Sequence, residues 1–96
     1  MIVYLTATAQ RQADEIEGWL RERSPAAAER FRQDIGRALH RLAVAPRIGV
    51  LFRRGPARRL LLSGTGHHLY YTVDGEVLTV KAVWHSTRGR GPKLGR

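Results

Sequence analysis

The sequence predicts one small α+β domain, in which a hairpin of two helices packs on a small, mainly antiparallel four-stranded sheet in the order β-α-α-β-β-β. Two long stretches carry apolar residues three and four positions apart, and two strand-like segments are joined by Asp74-Gly75. The length of 96 residues allows a single core, because cores divide only at about 250–300 residues. We expect residues 1–87 to form the domain and residues 88–96 to form a basic, flexible tail with no buried residue.

The first half of the chain is predicted to contain one strand and the helical hairpin. Residues 1–6 are short and rich in strand formers, so they predict a strand. Thr8 is expected to cap a helix that ends near Arg23. Ser24-Pro25 begins the second helix, because serine accepts from free amides and proline is tolerated at the first position. That helix is expected to end near Ala45-Pro46, and the short linker folds the two helices into a hairpin.

The second half is predicted to supply the other three strands. Residues 47–56 read as a loop, and residues 58–63 read as a strand. Residues 67–73 and 76–84 are two strands joined by Asp74-Gly75, a dipeptide favoured in two-residue type I′ turns.

The predicted turn also fixes a register between the last two strands. It places Val73 opposite Glu76 and His68 opposite Lys81. The same alternation places Val83 and His85 on the polar face with His68 and Lys81. The core side would then carry Tyr71, Leu69, Leu78, Val80, Ala82 and Trp84.

The positive charge is concentrated in the second half of the chain. The whole chain carries 17 Lys and Arg against 8 Asp and Glu, a formal net charge of +9. Residues 1–46 have seven Arg and six acids, a net of +1, and residues 47–96 have ten basic and two acidic side chains, a net of +8. A field of this kind favours an anionic partner such as nucleic acid or an acidic protein segment. A membrane is not expected, because the basic residues lie on strands and a tail instead of an amphipathic helix.

Motifs along nearly the whole chain resemble the RelE/ParE superfamily of toxins, with ParE-like members the most similar. They are ERSPAAAERF at 22–31, PRIG at 46–49, RRLLL at 58–62, GHHLYY at 66–71 and VWHSTRG at 83–89. The resemblance implies a toxin of a type II toxin–antitoxin system that needs no cofactor. It also implies neutralisation by a cognate acidic antitoxin in a toxin–antitoxin hetero-oligomer. A cytoplasmic location is expected because the chain has no cysteine and therefore no disulfide framework.

The resemblance leaves the target open. RelE-like relatives cut mRNA on the ribosome, and ParE-like relatives poison DNA gyrase without hydrolysing nucleic acid. Metal-free RNA cleavage needs a base, an acid and cations around the phosphate, and the polar face would offer His85, Arg59 and Lys81. No carboxylate is expected on that face, and the basic cluster and tyrosine that some RelE-like enzymes carry after the last strand are not matched. Non-catalytic inhibition of gyrase is therefore favoured. A ribosome-dependent mRNA endonuclease is the alternative, and a non-toxic antitoxin-binding module is the second alternative.

Two sets of binding residues follow from the charge and the resemblance. The candidates for target binding are Arg53, Arg54, Arg58, Arg59, His68, Lys81, His85, Arg88 and Arg90. The candidates for antitoxin binding are Trp19 and exposed edges of Ala28 and Phe31 on the helical hairpin. A metal site is not expected, because His67 and His68 are adjacent and no cysteine or third ligand is evident.

Overall fold

In the computed structural model, which describes residues 1–85, 91, 92 and 94, two helices pack on one face of a five-stranded mixed sheet. The elements in chain order are β1 (Ile2–Leu5), α1 (Ala7–Arg23), α2 (Pro25–Val44), β2 (Val50–Leu51), β3 (Arg58–Leu62), β4 (His67–Asp74) and β5 (Val77–His85). The strand order across the sheet is β1-β5-β4-β3-β2, with β1 parallel to β5 and the other pairs antiparallel. The predicted α+β class is confirmed. Neither helix contains an apolar stretch long enough to cross a bilayer in the part of the chain that the structure describes.

The two helices begin at side-chain caps. Thr6 Oγ1 accepts a hydrogen bond from the Ala9 amide at 3.1 Å, so the cap of α1 lies two residues before the predicted cap at Thr8. Ser24 Oγ accepts from the Ala27 amide at 3.2 Å, which confirms the predicted start of α2. The Ser24 amide also donates to the Leu20 carbonyl at 2.7 Å, so one residue closes α1 and opens α2.

The segment predicted to be a loop contains a fifth strand, β2. Val50 lies opposite Arg59 and Leu51 lies opposite Arg58 at the edge of the sheet. The strand count of four is therefore wrong. A strand of two residues is too short to show an alternating pattern in the sequence.

The hairpin between β4 and β5 has a different register from the predicted one. Asp74 pairs with Val77 and Val73 pairs with Leu78, so the turn residues are Gly75 and Glu76. Gly75 has a φ of +59°, and Glu76 has a negative φ, which is the pattern of a type II′ turn. The predicted type I′ turn and the pairing of Val73 with Glu76 are wrong, because the turn begins one residue later.

A β-bulge in β5 then reverses the side-chain alternation. Tyr71 pairs with Val80 but Tyr70 pairs with Ala82, so Lys81 is the extra residue that forms the bulge. Val83 consequently joins the core beneath the helices.

The bulge overturns the predicted faces of the last residues of β5. Ala82 and Trp84 lie on the face away from the helices, which we call the outer face, because each pairs with an outer-face residue of β4. His85 shares the helix side with Val83. His68 lies opposite Trp84, and the predicted pair of His68 and Lys81 does not form.

The core lies between the helices and the sheet. Its largest buried side chains include Phe31, Leu42, Leu69, Tyr71 and Leu78. The Tyr71 hydroxyl accepts from the Gly49 amide at 2.9 Å and so attaches the segment before β2 to the sheet.

Candidate functional site

The target-binding candidates within the described residues divide between two faces of the sheet. Arg59, His68 and Lys81 belong to the outer face, and His85 belongs to the helix side. Arg88 and Arg90 lie outside the residues that the structure describes. The outer face and the helix side therefore form two separate candidate sites.

Tyr70 is the centre of the outer face. Its neighbour on β3 is Arg59, and its neighbour on β5 is Ala82, which follows Lys81 in the bulge. Adjacent strands are about 4.8 Å apart, so the backbones that carry Arg59 and Lys81 are separated by about 10 Å. The His68 ring lies on the same face, with its centroid 6.1 Å from that of Tyr70.

Arg53 is positioned on this face by an aromatic stack. The Phe52 ring packs edge-on against Tyr70, with 4.7 Å between the centroids. The Arg53 guanidinium lies 4.5 Å from the centroid of Phe52. Arg53 has a φ of +57°, which few residues other than glycine adopt. We call the group of Arg53, Arg59, His68 and Lys81 around Tyr70 the outer basic cluster.

Gly91 also covers part of Tyr70, since a Cβ at Gly91 would lie 3.6 Å from the Tyr70 hydroxyl. Pro92 is fully buried, and a side chain on Gly91 would place its Cβ 3.2 Å from Phe52 Cζ. Tyr70 is consequently only 2% exposed, although it is on the face without helices. The expectation that the tail buries nothing is wrong at Pro92.

Arg58 and Arg54 are placed differently from the cluster. Arg58 donates to the carbonyls of Gly49 at 2.9 Å and Arg47 at 3.3 Å, so its guanidinium holds the segment before β2. Arg54 is exposed in the turn that follows Arg53. Arg58 is thus a structural side chain, and no contact among the described residues places Arg54 in the cluster.

Burial and neighbouring positive charge keep His68 neutral at neutral pH. Desolvation lowers the pKa of His68, and the charges of Arg59 and then His85 lower it further. Its Nδ1 atom is buried and has no hydrogen-bond partner among the described residues.

The second candidate site is a cavity of about 690 Å³ on the helix side. It lies between α1, the first part of α2, the start of β4 and the end of β5. We call it the helix-side pocket. Its apolar lining includes Ile16, Trp19, Leu20 and Val83, and its polar lining includes Glu15, Arg30, Thr65, His67 and His85.

Two histidines lie against each other in the helix-side pocket. The rings of His67 and His85 are 4.8 Å apart between centroids, and His67 also packs edge-on against Phe31 at 5.1 Å. His67 Nδ1 lies 3.0 Å from Thr65 Oγ1. Burial, followed by the charges of His85 and His68, lowers the pKa of His67 to about 4. His67 is therefore neutral at neutral pH.

The position of His85 corrects the arrangement expected for RNA cleavage. His85 lines the helix-side pocket, whereas Arg59 and Lys81 belong to the outer basic cluster. The sheet separates the proposed acid from the proposed cations. The three groups do not converge around one phosphate.

The antitoxin-binding candidates differ in exposure. Trp19 is 55% exposed on the wall of the helix-side pocket, with the Arg23 guanidinium 3.7 Å from its ring centroid. Ala28 and Phe31 are each 1% exposed, so the expected exposed edges are wrong. Phe31 belongs to the core and packs against His67 of β4.

Several pocket residues were not among the predicted site residues. Ile16 and Leu20 follow the apolar stripe of α1, and the stripe by itself indicates only core packing. His67 and Thr65 reach the pocket through the turn between β3 and β4, which no local pattern in the sequence places there. Within residues 1–85, 91, 92 and 94, no three His, Cys, Asp or Glu side chains are grouped so that they could hold a metal ion.

Comparison with known proteins gives one family match and a common fold. The family model for the ParE toxin of the type II toxin–antitoxin system parDE matches residues 3–89. A structure of the chromosomal ParDE toxin–antitoxin system from P. aeruginosa is 19% identical, with a TM-score of 0.77 over 88% of this chain and 95% of that chain. The isolated E. coli RelE toxin is also 19% identical, with a TM-score of 0.63 over 93% of this chain and 87% of that chain. No curated protein sequence matches.

Proposed function

Because the chain belongs to the ParE toxin family of type II toxin–antitoxin systems, we propose that it is a cytoplasmic toxin that inhibits DNA gyrase by binding and does not cut RNA. The observation that carries this choice is the bulge at Lys81. The bulge places His85 on the helix side and leaves Arg59 and Lys81 on the outer face.

Among the residues that the structure describes, the outer face lacks the acid–base pair that RNA cleavage requires. A general acid and a general base must both reach the reacting phosphate within hydrogen-bond distance. Asp74 is the one carboxylate on this face among the described residues, and it is four residues along β4 from Tyr70, about 14 Å away. The expected absence of a carboxylate is thus wrong at the end of β4, but Asp74 is too distant to pair with His68. The cluster offers cations for binding an anion and no paired groups for proton transfer.

Supercoiling by purified gyrase tests the target. We expect the toxin to inhibit supercoiling and to produce linear DNA after the gyrase is denatured. His85→Ala should retain this inhibition, because His85 is on the opposite side of the sheet from the cluster. If His85→Ala abolished toxicity and the wild type cut mRNA in the ribosomal A site during translation, the endonuclease alternative would replace this proposal.

The helix-side pocket is the proposed site for the cognate antitoxin. Its wall of Ile16, Trp19 and Leu20 gives an exposed apolar surface on a protein with a net charge of +9. An acidic antitoxin segment that forms a helix with one apolar face would complement both the apolar wall and the positive charge.

Replacement of an exposed aromatic residue tests this placement. Trp19→Ala should weaken antitoxin affinity at least about tenfold, because exposed aromatic side chains at interfaces often contribute more than about 1.4 kcal/mol. Tyr4→Ala is the matched control, since Tyr4 is 50% exposed but lies on the outer face. Equal effects of the two substitutions would exclude the pocket as the antitoxin site.

A further inference from the structure

We propose that the outer basic cluster binds the phosphate backbone of double-stranded DNA. The inference rests on the proposed function in one respect, since it assigns the contact to the DNA segment that gyrase holds. It extends that function by naming a nucleic-acid surface on the toxin itself.

The first support is the sign of the charge around Tyr70. Arg53, Arg59 and Lys81 come from three different segments and meet on one face of the sheet. The carboxylate on this face, Asp74, is about 14 Å from Tyr70 along β4. A local field of one sign attracts a polyanion and raises its rate of association.

The second support is the spacing of the basic groups. The backbones of Arg59 and Lys81 are about 10 Å apart across β4. A DNA duplex carries one charge for about every 1.7 Å along its axis, so a span of this size faces several phosphates at once.

The third support is the burial of the central aromatic ring. Proteins that bind single-stranded nucleic acid stack unpaired bases on exposed aromatic side chains. Tyr70 is 2% exposed beneath Phe52 and Gly91, so the ring at the centre of the cluster cannot stack on an unpaired base. The covered ring favours contact with the backbone of a duplex over stacking with unpaired RNA.

The fourth support is that Arg53 is fixed before binding. Its φ of +57° is a backbone conformation that is strained for a residue with a side chain, and the guanidinium lies against the Phe52 ring that covers Tyr70. A side chain that is already ordered loses less conformational freedom when it binds a ligand.

Fluorescence anisotropy with a duplex of about 25 base pairs, measured over a range of NaCl concentrations, tests the proposal. The test variant is Arg59→Gln with Lys81→Gln. The control is Arg11→Gln with Arg41→Gln, which removes the same charge from exposed positions on the two helices.

We expect the test variant to lower the slope of log Kd against log salt by about 1.8, because each phosphate contact contributes about 0.9. The affinity at low salt should also fall about tenfold or more, and the control should change both quantities less than half as much. Equal effects of the two variants would overturn the proposal, and so would tighter binding of single-stranded RNA of the same length.

The gyrase assay keeps the two proposals distinct. If the wild type leaves supercoiling unchanged, the proposed function fails, and the duplex titration still decides whether the cluster binds DNA. If the wild type inhibits gyrase but the two variants bind duplex equally well, the proposed function stands and this inference fails.

Adjacent histidines provide a second readout within one molecule. His68 belongs to the cluster, and His67 is on the helix side. NMR titration should show that added duplex raises the pKa of His68, because phosphates offset the charge of Arg59, and leaves that of His67 nearly unchanged. An unchanged pKa of His68, or equal pKa shifts of His67 and His68, would contradict the proposal.

Discussion

Gly49, in the segment before β2, lies in a space too small for a side chain. A Cβ at this position would lie 2.6 Å from the Tyr71 hydroxyl and 2.7 Å from the Arg59 carbonyl oxygen. Tyr71 is completely buried, and the carbonyl belongs to the backbone of β3. Neither neighbour can move away without disturbing the sheet, so glycine is required here by space.

Gly49→Ala should therefore destabilise the protein by about 2 kcal/mol, in the range of other overpacking substitutions. Gly55→Ala is the matched control, because a Cβ at Gly55, in the loop between β2 and β3, would meet nothing within 4 Å. Urea unfolding of both variants measures the difference. Similar midpoints for the two variants would contradict the predicted clash.

His67 couples stability to pH. Its pKa is about 4 in the folded protein and 6.5 in an unfolded chain, so the unfolded chain binds the proton more tightly between these values. The contribution of neutral His67 is complete above pH 6.5 and decreases as the pH falls towards 4. A shift of this size corresponds to about 3 kcal/mol.

Replacement of His67 by leucine should flatten the pH dependence of the unfolding free energy between pH 6.5 and pH 4 by about this amount. His40→Gln serves as the control, because His40 is exposed on α2. Urea unfolding at several pH values gives the comparison. A wild type and a His67→Leu variant with parallel pH profiles would show that His67 is not the coupled group.

At the scale of elements, the bulge in β5 separates the two candidate sites. Val80 and Val83 both face the helices, and Lys81 and Ala82 lie between them on the outer side. Deletion of Lys81 would leave Ala82 on the outer face and Val83 on the helix side. Every remaining side chain of β5 would therefore stay on the face it now occupies. Deletion of Thr79 would instead force Leu78 or Val80 out of the core.

We therefore expect the Lys81 deletion to cost about 1 kcal/mol, the value of the hydrogen bond from Thr6 to the Lys81 carbonyl. The Thr79 deletion should cost about 3 kcal/mol or more, because a large apolar side chain loses its buried position. Thermal unfolding followed by circular dichroism distinguishes them. Equal losses of stability in the two deletion variants would mean that the side-chain alternation of β5 does not change at the bulge.

The sequence predicts the elements better than it predicts the faces of β5. Helix periodicity and the Ser24-Pro25 cap predict the hairpin, because these signals are local. The alternation of Leu78, Val80, Ala82 and Trp84 is regular in the sequence, so it indicates one unbroken face. The face changes because Ala82 is buried on the outer side, next to Tyr70, which Phe52 and Gly91 cover. That contact joins distant segments and leaves no local pattern.

At the scale of the whole molecule, the net charge of +9 opposes the compact state. The uneven distribution of charge between the two halves of the chain also shows which part of the candidate site was predictable from the sequence. Composition placed the basic surplus after Pro46, but the assignment of Arg59 and His85 to opposite faces depends on pairing between strands.

Screening of this repulsion should stabilise the protein. Raising NaCl from about 20 mM to about 300 mM is expected to raise the melting temperature by about 5 °C, which corresponds to about 1 kcal/mol in a domain of this size. The variant with Arg59→Gln and Lys81→Gln should gain less, because the repulsion within its outer face is already reduced. A melting temperature that falls with salt would show that attractive ion pairs dominate instead.

The parallel pairing of β1 with β5 has a consequence for the order of events during synthesis. Ile2 pairs with Val77, and Thr6 contacts Lys81 across 75 residues of chain. The helical hairpin depends on contacts between residues close in the sequence and can form early. Strand β1 cannot pair until β5 has been synthesised. Contacts of this range slow folding, and they delay completion of the sheet until β5 has left the ribosome. The nascent chain therefore acquires its two binding faces together, and only after β5 has been synthesised.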